Sequence, residues 1–307
     1  MLNRRSFLKH TGVAAAGSLV FSRAAAGLAF PPALPEPGLQ LFTFFREIDN
    51  DVPGTLQKIA AAGYKNIESA FSRKGGFYGE PAKAFGARLR DLGLSWKSHH
   101  VVGAPFRRPA NAAPPTGPDG KPITIPPMLN LRDNYQQVVD EAAEGGVPYL
   151  VCASTPIGTL EEVKASIAVL NRTAEAARKA GIGFAYHNHD AEFRSVEGVV
   201  PYDLFLSETD PALLKMELDV AWAVKGGTDP VALFQKHPGR FPLWHLKDLD
   251  TEHKTILPVG KGTIDYKRVF AAAATAGLQY YFVEHDMPAD AMASITESIA
   301  HLKTMLK

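Results

Sequence analysis

The sequence predicts an α/β protein with one main domain, a (β/α)8 TIM barrel that follows an N-terminal signal peptide. Eight short apolar runs alternate with segments of helical periodicity, which is typical of repeated βα units and a parallel sheet. Several helical segments end in Gly directly before the next apolar run, where Gly can adopt the left-handed conformation that closes a helix. These glycines are Gly63, Gly93, Gly181 and Gly277. Eight strands with intervening helices close naturally into a barrel.

Residues 1–26 predict a removable export signal. A basic start precedes the apolar run from Gly12 to Phe21 and the small residues Ala24 to Ala26, which is the layout of a cleaved secretory signal. Arg4-Arg5 followed by Ser6-Phe7-Leu8-Lys9 matches the twin-arginine pattern. The apolar run is about ten residues long, which is too short to span a bilayer. We therefore expect the twin-arginine export machinery as a partner, a periplasmic or otherwise exported location, and no membrane span in the mature form.

The net charge and the cysteine content limit the classes of partner and of covalent cross-link that the chain can have. Four of the 33 basic residues and none of the 32 acidic residues lie in the signal, so the mature chain has 29 basic side chains and a net charge near −3. This balance argues against nucleic acid as the main partner. The single cysteine, Cys152, cannot form an intramolecular disulfide, and its apolar surroundings predict a small buried residue.

The barrel is predicted to occupy residues 38–307, after a Pro-rich linker at 27–37. The predicted strands are, in order, Leu39 to Phe44, Asn66 to Ala70, Ser95 to Val101, Tyr149 to Ala153, Gly183 to His189, Leu214 to Val220, Leu243 to Lys247 and Tyr280 to His285. The clearest helical segments are Thr55 to Ala62, Ala82 to Leu92, Leu131 to Glu144, Leu160 to Ala180 and Tyr266 to Ala276. The length of 281 residues after signal removal suits one such barrel.

A long loop at 103–127 interrupts the alternation. It is rich in Pro and Gly, carries Arg107-Arg108, and follows the third predicted strand at the expected active-site end. Loops of this length are usually functional or disordered. The loop is predicted to be either a lid over the substrate or a subunit contact in a homo-oligomer, with disorder as the remaining alternative.

The predicted strand ends are rich in metal-ligand side chains. Polar residues at these ends point into the catalytic mouth of a TIM barrel. The residues are Glu68, His99-His100, His187-Asn188-His189, Glu217-Leu218-Asp219, His245-Leu246-Lys247-Asp248 and Glu284-His285-Asp286. Any one histidine is more simply a hydrogen-bonded barrel residue, but their joint occurrence predicts one divalent metal. Mixed imidazole and carboxylate donors suit Mn, Zn, Fe, Co or Ni.

Alternation along a strand decides which of these side chains share a face. His187 and His189 share one face and Asn188 takes the other, and Glu217 and Asp219 share a face. We leave Glu217 out of the predicted metal shell, since such a residue is more often a paired core carboxylate.

The order and spacing of the motifs make the chain similar to the sugar phosphate isomerase/epimerase family of xylose isomerase-like barrels. The motifs are GLQLF at 38–42, GYKNIE at 63–68, FYG at 77–79, HNHD at 187–190 with Glu192-Phe193, LDVAW at 218–222, HLKD at 245–248, GKGTIDY at 260–266 and VEHD at 283–286. The resemblance extends over nearly the whole mature chain, and it is to an exported subgroup that carries the HNH motif.

The resemblance implies a metal site and a set of roles. The family holds one metal with a carboxylate on its fifth strand, an Asp on its sixth, a His on its seventh and a Glu on its eighth. The last three match Asp219, His245 and Glu284, whereas His187 stands where ketose epimerases have a Glu.

The remaining candidate residues are proposed bases and substrate contacts. The candidate bases are Glu284, His189 and Lys247, and the candidate substrate contacts are Glu68, His100 and Trp222. Lys247 is alternatively a surface partner of Asp248 and Asp250, and Trp222 is alternatively a rim residue that packs against a loop.

The main functional prediction is a divalent-metal-dependent isomerase or epimerase of a sugar or keto-sugar that acts through an enolate or enediolate. The alternative is a metal-dependent lyase or dehydratase on a 3-keto sugar or keto-inositol. His187 supports the alternative because an epimerase uses a base on each side of the reacting carbon. A non-catalytic carbohydrate-binding barrel is a third hypothesis. In each case the partner is a small carbohydrate, and export favours an unphosphorylated one.

Overall fold

The computed structural model describes residues 34–105 and 128–307. The signal peptide, the linker up to residue 33 and residues 106–127 of the long loop lie outside the described residues, so the export signal and the lid or subunit contact stay predictions. No helix within the described ranges combines the length and apolar character needed to cross a membrane.

Eight parallel strands form a closed barrel, which confirms the predicted fold class. They are β1 (Gly38–Gln40), β2 (Asn66–Ser69), β3 (Ser95–Val102), β4 (Tyr149–Ser154), β5 (Gly183–His187), β6 (Leu214–Asp219), β7 (Leu243–Leu246) and β10 (Tyr280–Val283). Each strand pairs with its neighbour in the chain, and β10 closes the ring between β7 and β1. Two shorter strands, β8 (Asp248–Leu249) and β9 (Ile256–Leu257), pair antiparallel outside the barrel.

Helices surround the barrel and connect its strands. They are α1 (Val52–Ala62), α2 (Ala82–Asp91), α3 (Leu131–Gly145), α4 (Leu160–Ala180), α5 (Pro201–Ser207), α6 (Val220–Lys225), α7 (Pro230–Lys236), α8 (Tyr266–Ala271), α9 (Ala273–Ala276) and α10 (Ala291–Met305). The helix ends follow local chemistry. The Thr159 side chain caps the start of α4, and Gly181 ends it at φ 77°, a conformation that costs Gly little because it has no Cβ.

Two elements differ most from their predictions. The first strand was expected to continue to Phe44, but it ends at Gln40 and Leu41–Phe44 form a 3-10 helix. The Gln40 side chain accepts a hydrogen bond from the Phe42 N–H at 3.0 Å. This bond caps the start of the 3-10 helix and so ends the extended strand. The helix expected over 266–276 is divided at Ala272, whose φ of −94° and ψ of 6° lie outside the helical region.

Large apolar side chains pack between the barrel strands and the surrounding helices. Trp244, for example, is fully buried on β7 and stacks on Phe234 with ring centroids 4.9 Å apart. Such packing fixes the strands that carry the polar side chains. Cys152 on β4 is fully buried, as predicted, and burial raises the pKa of its thiol to about 12.

The folded protein is expected to protect Cys152 from thiol reagents. A pKa raised by roughly three units leaves on the order of a thousandfold less thiolate, and the thiolate is the reactive form. Labelling with a chromogenic disulfide at pH 8 should therefore be very slow in native protein and complete within seconds in denaturant. Rapid stoichiometric labelling of the native protein would show that β4 is not packed in this way.

Candidate metal centre

Strand register brings the predicted ligands together at the carboxyl ends of the barrel strands. His187 on β5 is the register partner of Glu217 on β6, and Asp219 on β6 is the register partner of His245 on β7. Glu284 directly follows β10, and its N–H donates to the Leu246 carbonyl at 3.0 Å. Side chains from four neighbouring strands therefore converge above the apolar core.

The three side chains of the HNH segment, residues 187–189, make different contacts. Asn188 accepts from the Asp219 N–H at 3.1 Å and donates to the Asp219 carbonyl at 3.3 Å, so its amide joins β5 to β6. Glu192 accepts from the His189 N–H at 3.0 Å and from the Tyr186 hydroxyl at 2.7 Å, which orders the turn. The rings of His187 and His189 lie on the same side, with centroids 5.1 Å apart, in agreement with strand alternation.

The four predicted metal ligands form a compact buried group. His187, Asp219, His245 and Glu284 each offer one donor atom, and these atoms lie within 4.8 Å of one another. His245 Nδ1 is 2.9 Å from Glu284 Oε2. Two nitrogens and two carboxylate oxygens form a donor set suited to Zn, Mn, Fe, Co or Ni.

Asp219 provides a specific test of whether a cation fits this group. Its Oδ1 accepts from the Trp222 N–H at 2.8 Å. Its Oδ2 is buried and receives no aligned hydrogen bond, although Lys247 Nζ is 2.9 Å away. A buried carboxylate oxygen with no aligned hydrogen bond is free to accept a further positive partner. The residues therefore fit a divalent ion, whose presence and identity stay predictions.

A second group of possible ligands lies beside the first. His100, His187, Glu217 and His245 also bring one donor atom each within 4.8 Å of the others. The sequence analysis left Glu217 outside the metal shell, and the structure places it in contact with three imidazoles. The two groups share His187 and His245, so the roles of these two rings decide between them.

Lys247 is the buried cation of the site, and its prediction as a surface residue paired with Asp248 and Asp250 is wrong. Its Nζ is 2.6 Å from Glu284 Oε2, 2.7 Å from Asp286 Oδ2 and 2.9 Å from Asp219 Oδ2. Asp248 instead accepts from the N–H groups of Gly260 at 2.9 Å and Ile264 at 3.1 Å. Burial lowers the pKa of Lys247, but the three carboxylates outweigh it and hold that pKa well above its usual value.

Burial also sets the charge state of the imidazoles and carboxylates below the mouth. It lowers the pKa of His100 to about 4 and that of His187 well below its ordinary value, so both rings are neutral, as metal ligands must be. Burial, followed by the neighbouring Glu217, raises the pKa of Glu68 to about 7. For His245, burial lowers the pKa, but Glu217, Glu68 and Glu284 outweigh it and raise it.

An open cleft with a volume of about 260 Å³ gives access to part of this group. Its lining residues are Phe42, Ala70, Phe71, His100, Val102, Ala153, Ser154, His187, His189, Glu284 and Asp286. The lining combines apolar side chains with imidazoles and carboxylates. This combination suits a small molecule that has both apolar and hydrogen-bonding groups.

Some of the predicted catalytic and substrate-binding residues line this cleft, and others do not. His100, His189 and Glu284 line it, whereas Glu68, Lys247 and Trp222 do not. Glu68 is fully buried, and the Trp222 ring packs 4.5 Å from Lys225 Nζ and 5.3 Å from Lys247 Nζ. Contacts of Glu68 and Trp222 with substrate, like the catalytic roles, stay predictions.

Sequence reasoning missed Glu217 and Asp286 as members of the site. A signal existed for both, because strand alternation places Glu217 on the face of Asp219 and Asp286 on the face of Glu284. Phe42 was missed because its approach to the cleft depends on the early end of β1.

Comparisons with known proteins agree with this geometry. The model of the xylose isomerase-like TIM barrel family matches residues 56–305. Inosose dehydratase from Geobacillus thermodenitrificans is 30% identical over 145 residues, which span 42% of this chain and 48% of that protein. The chain thus aligns with about half the length of this curated relative.

Solved structures resemble the barrel over most of its length. A sugar phosphate isomerase/epimerase from Parabacteroides distasonis is 28% identical, with a TM-score of 0.71 over 90% of this chain and 96% of that one. The IOLI protein, solved with a bound zinc atom, is 15% identical, with a TM-score of 0.65 over 89% of this chain and 98% of that one. At this low identity the second likeness concerns the fold alone.

Metal content should depend on the four converging residues. After incubation with Zn or Mn and desalting, elemental analysis is expected to find about one equivalent in the wild type. Asp219→Asn and His245→Gln should lose it, because each removes a buried donor. His285→Gln is the matched control, since His285 contacts Ser294 Oγ at 2.8 Å and lies outside both ligand groups. Equal metal content in all four proteins would contradict the assignment.

Replacing Lys247 by Met is expected to have opposite effects on folding and on metal affinity. Loss of the buried ammonium leaves three carboxylates without their shared cation, which should lower the metal-free stability by about 3 to 5 kcal/mol. Divalent metal should nevertheless bind more tightly, because Lys247 no longer competes for Asp219 and Glu284. Urea unfolding and metal titration measure the two effects.

The control for Lys247→Met is Lys254→Met, which breaks an exposed ion pair with Glu252 and should change neither quantity appreciably. Weaker metal binding by the Lys247 variant would contradict the competition between the two cations.

Proposed function

The chain belongs to the xylose isomerase-like TIM barrel family, and from this premise we propose that it is a divalent-metal-dependent lyase that removes water from a small keto-sugar or keto-polyol. The convergence of His187, Asp219, His245 and Glu284, of which His187 and Glu284 line an open cleft, is the observation that carries the proposal. The curated relatives named inosose dehydratase support the reaction type.

The reaction consists of proton removal beside a ketone and loss of a hydroxyl group. A base takes the proton from the carbon next to the carbonyl, and the electron pair of that C–H bond forms a C=C bond. The C–O bond at the next carbon breaks, and the departing oxygen takes up a proton. The products are an α,β-unsaturated ketone and water, so atoms and charge balance.

A bound divalent ion would supply Lewis acidity that polarises the ketone oxygen. The cleft residues supply the proton transfers. Glu284 lines the cleft, and although burial raises the pKa of its carboxyl, Lys247 and His245 outweigh it and hold that pKa well below its usual value. It is therefore ionised and can accept a proton from carbon. Lys247 keeps Glu284 and Asp286 in place as a hydrogen-bond donor.

His189 is the candidate that returns a proton to the departing oxygen. It lines the cleft, and no side-chain hydrogen bond of its ring is found within the described part of the chain. An imidazole exchanges protons readily near neutral pH. His100, His187 and His245, by contrast, all contact buried carboxylates, so they are fixed in position.

His187 favours elimination over epimerisation. Inversion at a carbon requires a proton to leave one face and return to the other, which two carboxylates beside the metal usually accomplish. In this chain an imidazole stands at the position of one of them, and its Nδ1 is 3.1 Å from Glu217 Oε2, so the ring is held as a candidate ligand and does not replace the second carboxylate base.

Isomerisation or epimerisation of a keto-sugar, the main prediction from sequence, remains the second candidate. The structure from Parabacteroides distasonis, which carries the isomerase/epimerase name and covers 90% of this chain, favours it. Both reactions begin with the same proton removal, and they differ in the fate of the resulting carbanion. A non-catalytic carbohydrate-binding barrel would show neither reaction.

Elimination should be visible directly. Metal-loaded protein incubated with inosose or a 3-keto-glucoside is expected to produce ultraviolet absorbance of a conjugated enone, and Glu284→Gln should reduce kcat by about 10²- to 10⁴-fold. Glu252→Gln, at an exposed carboxylate, is the matched control and should retain full activity. A new stereoisomer carrying solvent deuterium, without enone absorbance, would establish epimerisation instead, and binding without turnover would establish the non-catalytic barrel.

A further inference from the structure

Two fully buried carboxylates, Glu68 and Glu217, lie directly below the candidate ligands. Each makes its contacts through Oε2, whereas its Oε1 is buried and has no hydrogen-bond partner among the described residues. Burial of an ionisable carboxylate is costly unless its partners compensate for it. The contacts of the two Oε2 atoms therefore indicate what these residues do.

Both Oε2 atoms contact imidazole nitrogens. Glu217 Oε2 is 3.1 Å from His187 Nδ1 and 2.6 Å from His100 Nε2. Glu68 Oε2 forms a short contact with His245 Nε2 and accepts from the Gln40 amide at 2.8 Å. The two glutamates thus hold one nitrogen each of the two histidines shared by both possible ligand groups.

A carboxylate that contacts a ring nitrogen fixes the tautomer of a neutral imidazole. The nitrogen that faces the carboxylate carries the proton, and the other nitrogen keeps a lone pair for a metal. In His245 both nitrogens face a carboxylate, Nε2 that of Glu68 and Nδ1 that of Glu284 at 2.9 Å. Because Glu284 is itself a candidate ligand, Nδ1 is the nitrogen on the side of the first ligand group. In His187 the remaining nitrogen is Nε2.

We propose that Glu68 and Glu217 are positioning residues that make His245 bind the metal through Nδ1 and His187 through Nε2. The proposal rests on the metal dependence in the proposed function. It makes Glu68 the residue that holds the ligand His245, and not a contact of the substrate. It also makes Glu217 and His100, the two members of the second group that the first group lacks, neighbours of the ligands and not ligands themselves.

The contact between His100 and Glu217 argues against an ion within this second group. Two ligand atoms at about 2.0 to 2.1 Å from a tetrahedral Zn²⁺ stand roughly 3.3 Å from each other. The 2.6 Å between His100 Nε2 and Glu217 Oε2 departs further from this distance than the 2.9 Å between His245 Nδ1 and Glu284 Oε2 in the first group. It is typical of a hydrogen bond to a carboxylate with a proton between the atoms.

Zinc affinity distinguishes the positioning role from its alternatives. In chelator competition, Glu68→Gln and Glu217→Gln are expected to bind zinc about 10- to 100-fold more weakly than the wild type, with about one equivalent still bound at saturation. His100→Gln is the matched control in the second group and should retain wild-type affinity. Loss of the ion in His100→Gln would place the metal in the second group and overturn the proposal. Unchanged affinity in both Gln variants would overturn it as well.

Wild-type protein alone provides a second readout that does not depend on variant folding. Long-range ¹H–¹⁵N spectra of zinc-loaded, ¹⁵N-histidine-labelled protein should show protonated His245 Nε2 and His187 Nδ1. The opposite protonated nitrogens would refute the proposal, as would a wild type that binds no zinc. Failure to turn over keto-sugars, with the zinc results as expected, would refute the proposed function and leave the positioning role intact.

Discussion

Negative charge buried at one end of the barrel is the constraint on which the rest of the site depends. Glu68, Glu217 and Asp219 are fully buried, and Glu284 and Asp286 stand above them. Among the described contacts of these five carboxylates, Lys247 provides the ammonium group, and the other partners include imidazoles, the Gln40 amide and the Trp222 N–H. Carboxylates removed from water require compensation by cations or hydrogen bonds. A divalent ion is the natural further source of positive charge.

The fold can sustain this concentration of charge because the barrel core below it is closely packed. Parallel strands in fixed register bring residues from distant parts of the chain to one rim, and apolar side chains such as Trp244 hold those strands in place. The site thus combines two layers with different tasks. The upper layer, which includes Glu284 and His189, faces the cleft, and the lower layer of Glu68 and Glu217 orients the imidazoles.

Much of this organisation could be predicted from sequence because it depends on strand ends and alternation. The four candidate ligands each follow from a short motif on a separate strand, and the structure brings His187, Asp219, His245 and Glu284 together. The charge environment of Lys247 could not be predicted in the same way, because its three partners lie on β6 and directly after β10, far from Lys247 in the sequence. Proximity along the chain pointed to Asp248, whose carboxylate binds backbone N–H groups instead. The early end of β1 likewise depends on one side-chain hydrogen bond of Gln40. Residue propensities for strand or helix do not predict such a bond.

Anomalous X-ray scattering from crystals grown with Zn or Mn tests the central claim most directly, because it locates the ion without reference to activity. The account predicts one anomalous peak at about 2.0 to 2.2 Å from His245 Nδ1, His187 Nε2 and carboxylate oxygens of Asp219 and Glu284. A peak bounded by His100 and Glu217, or none at the barrel mouth in crystals that contain the metal, would contradict it.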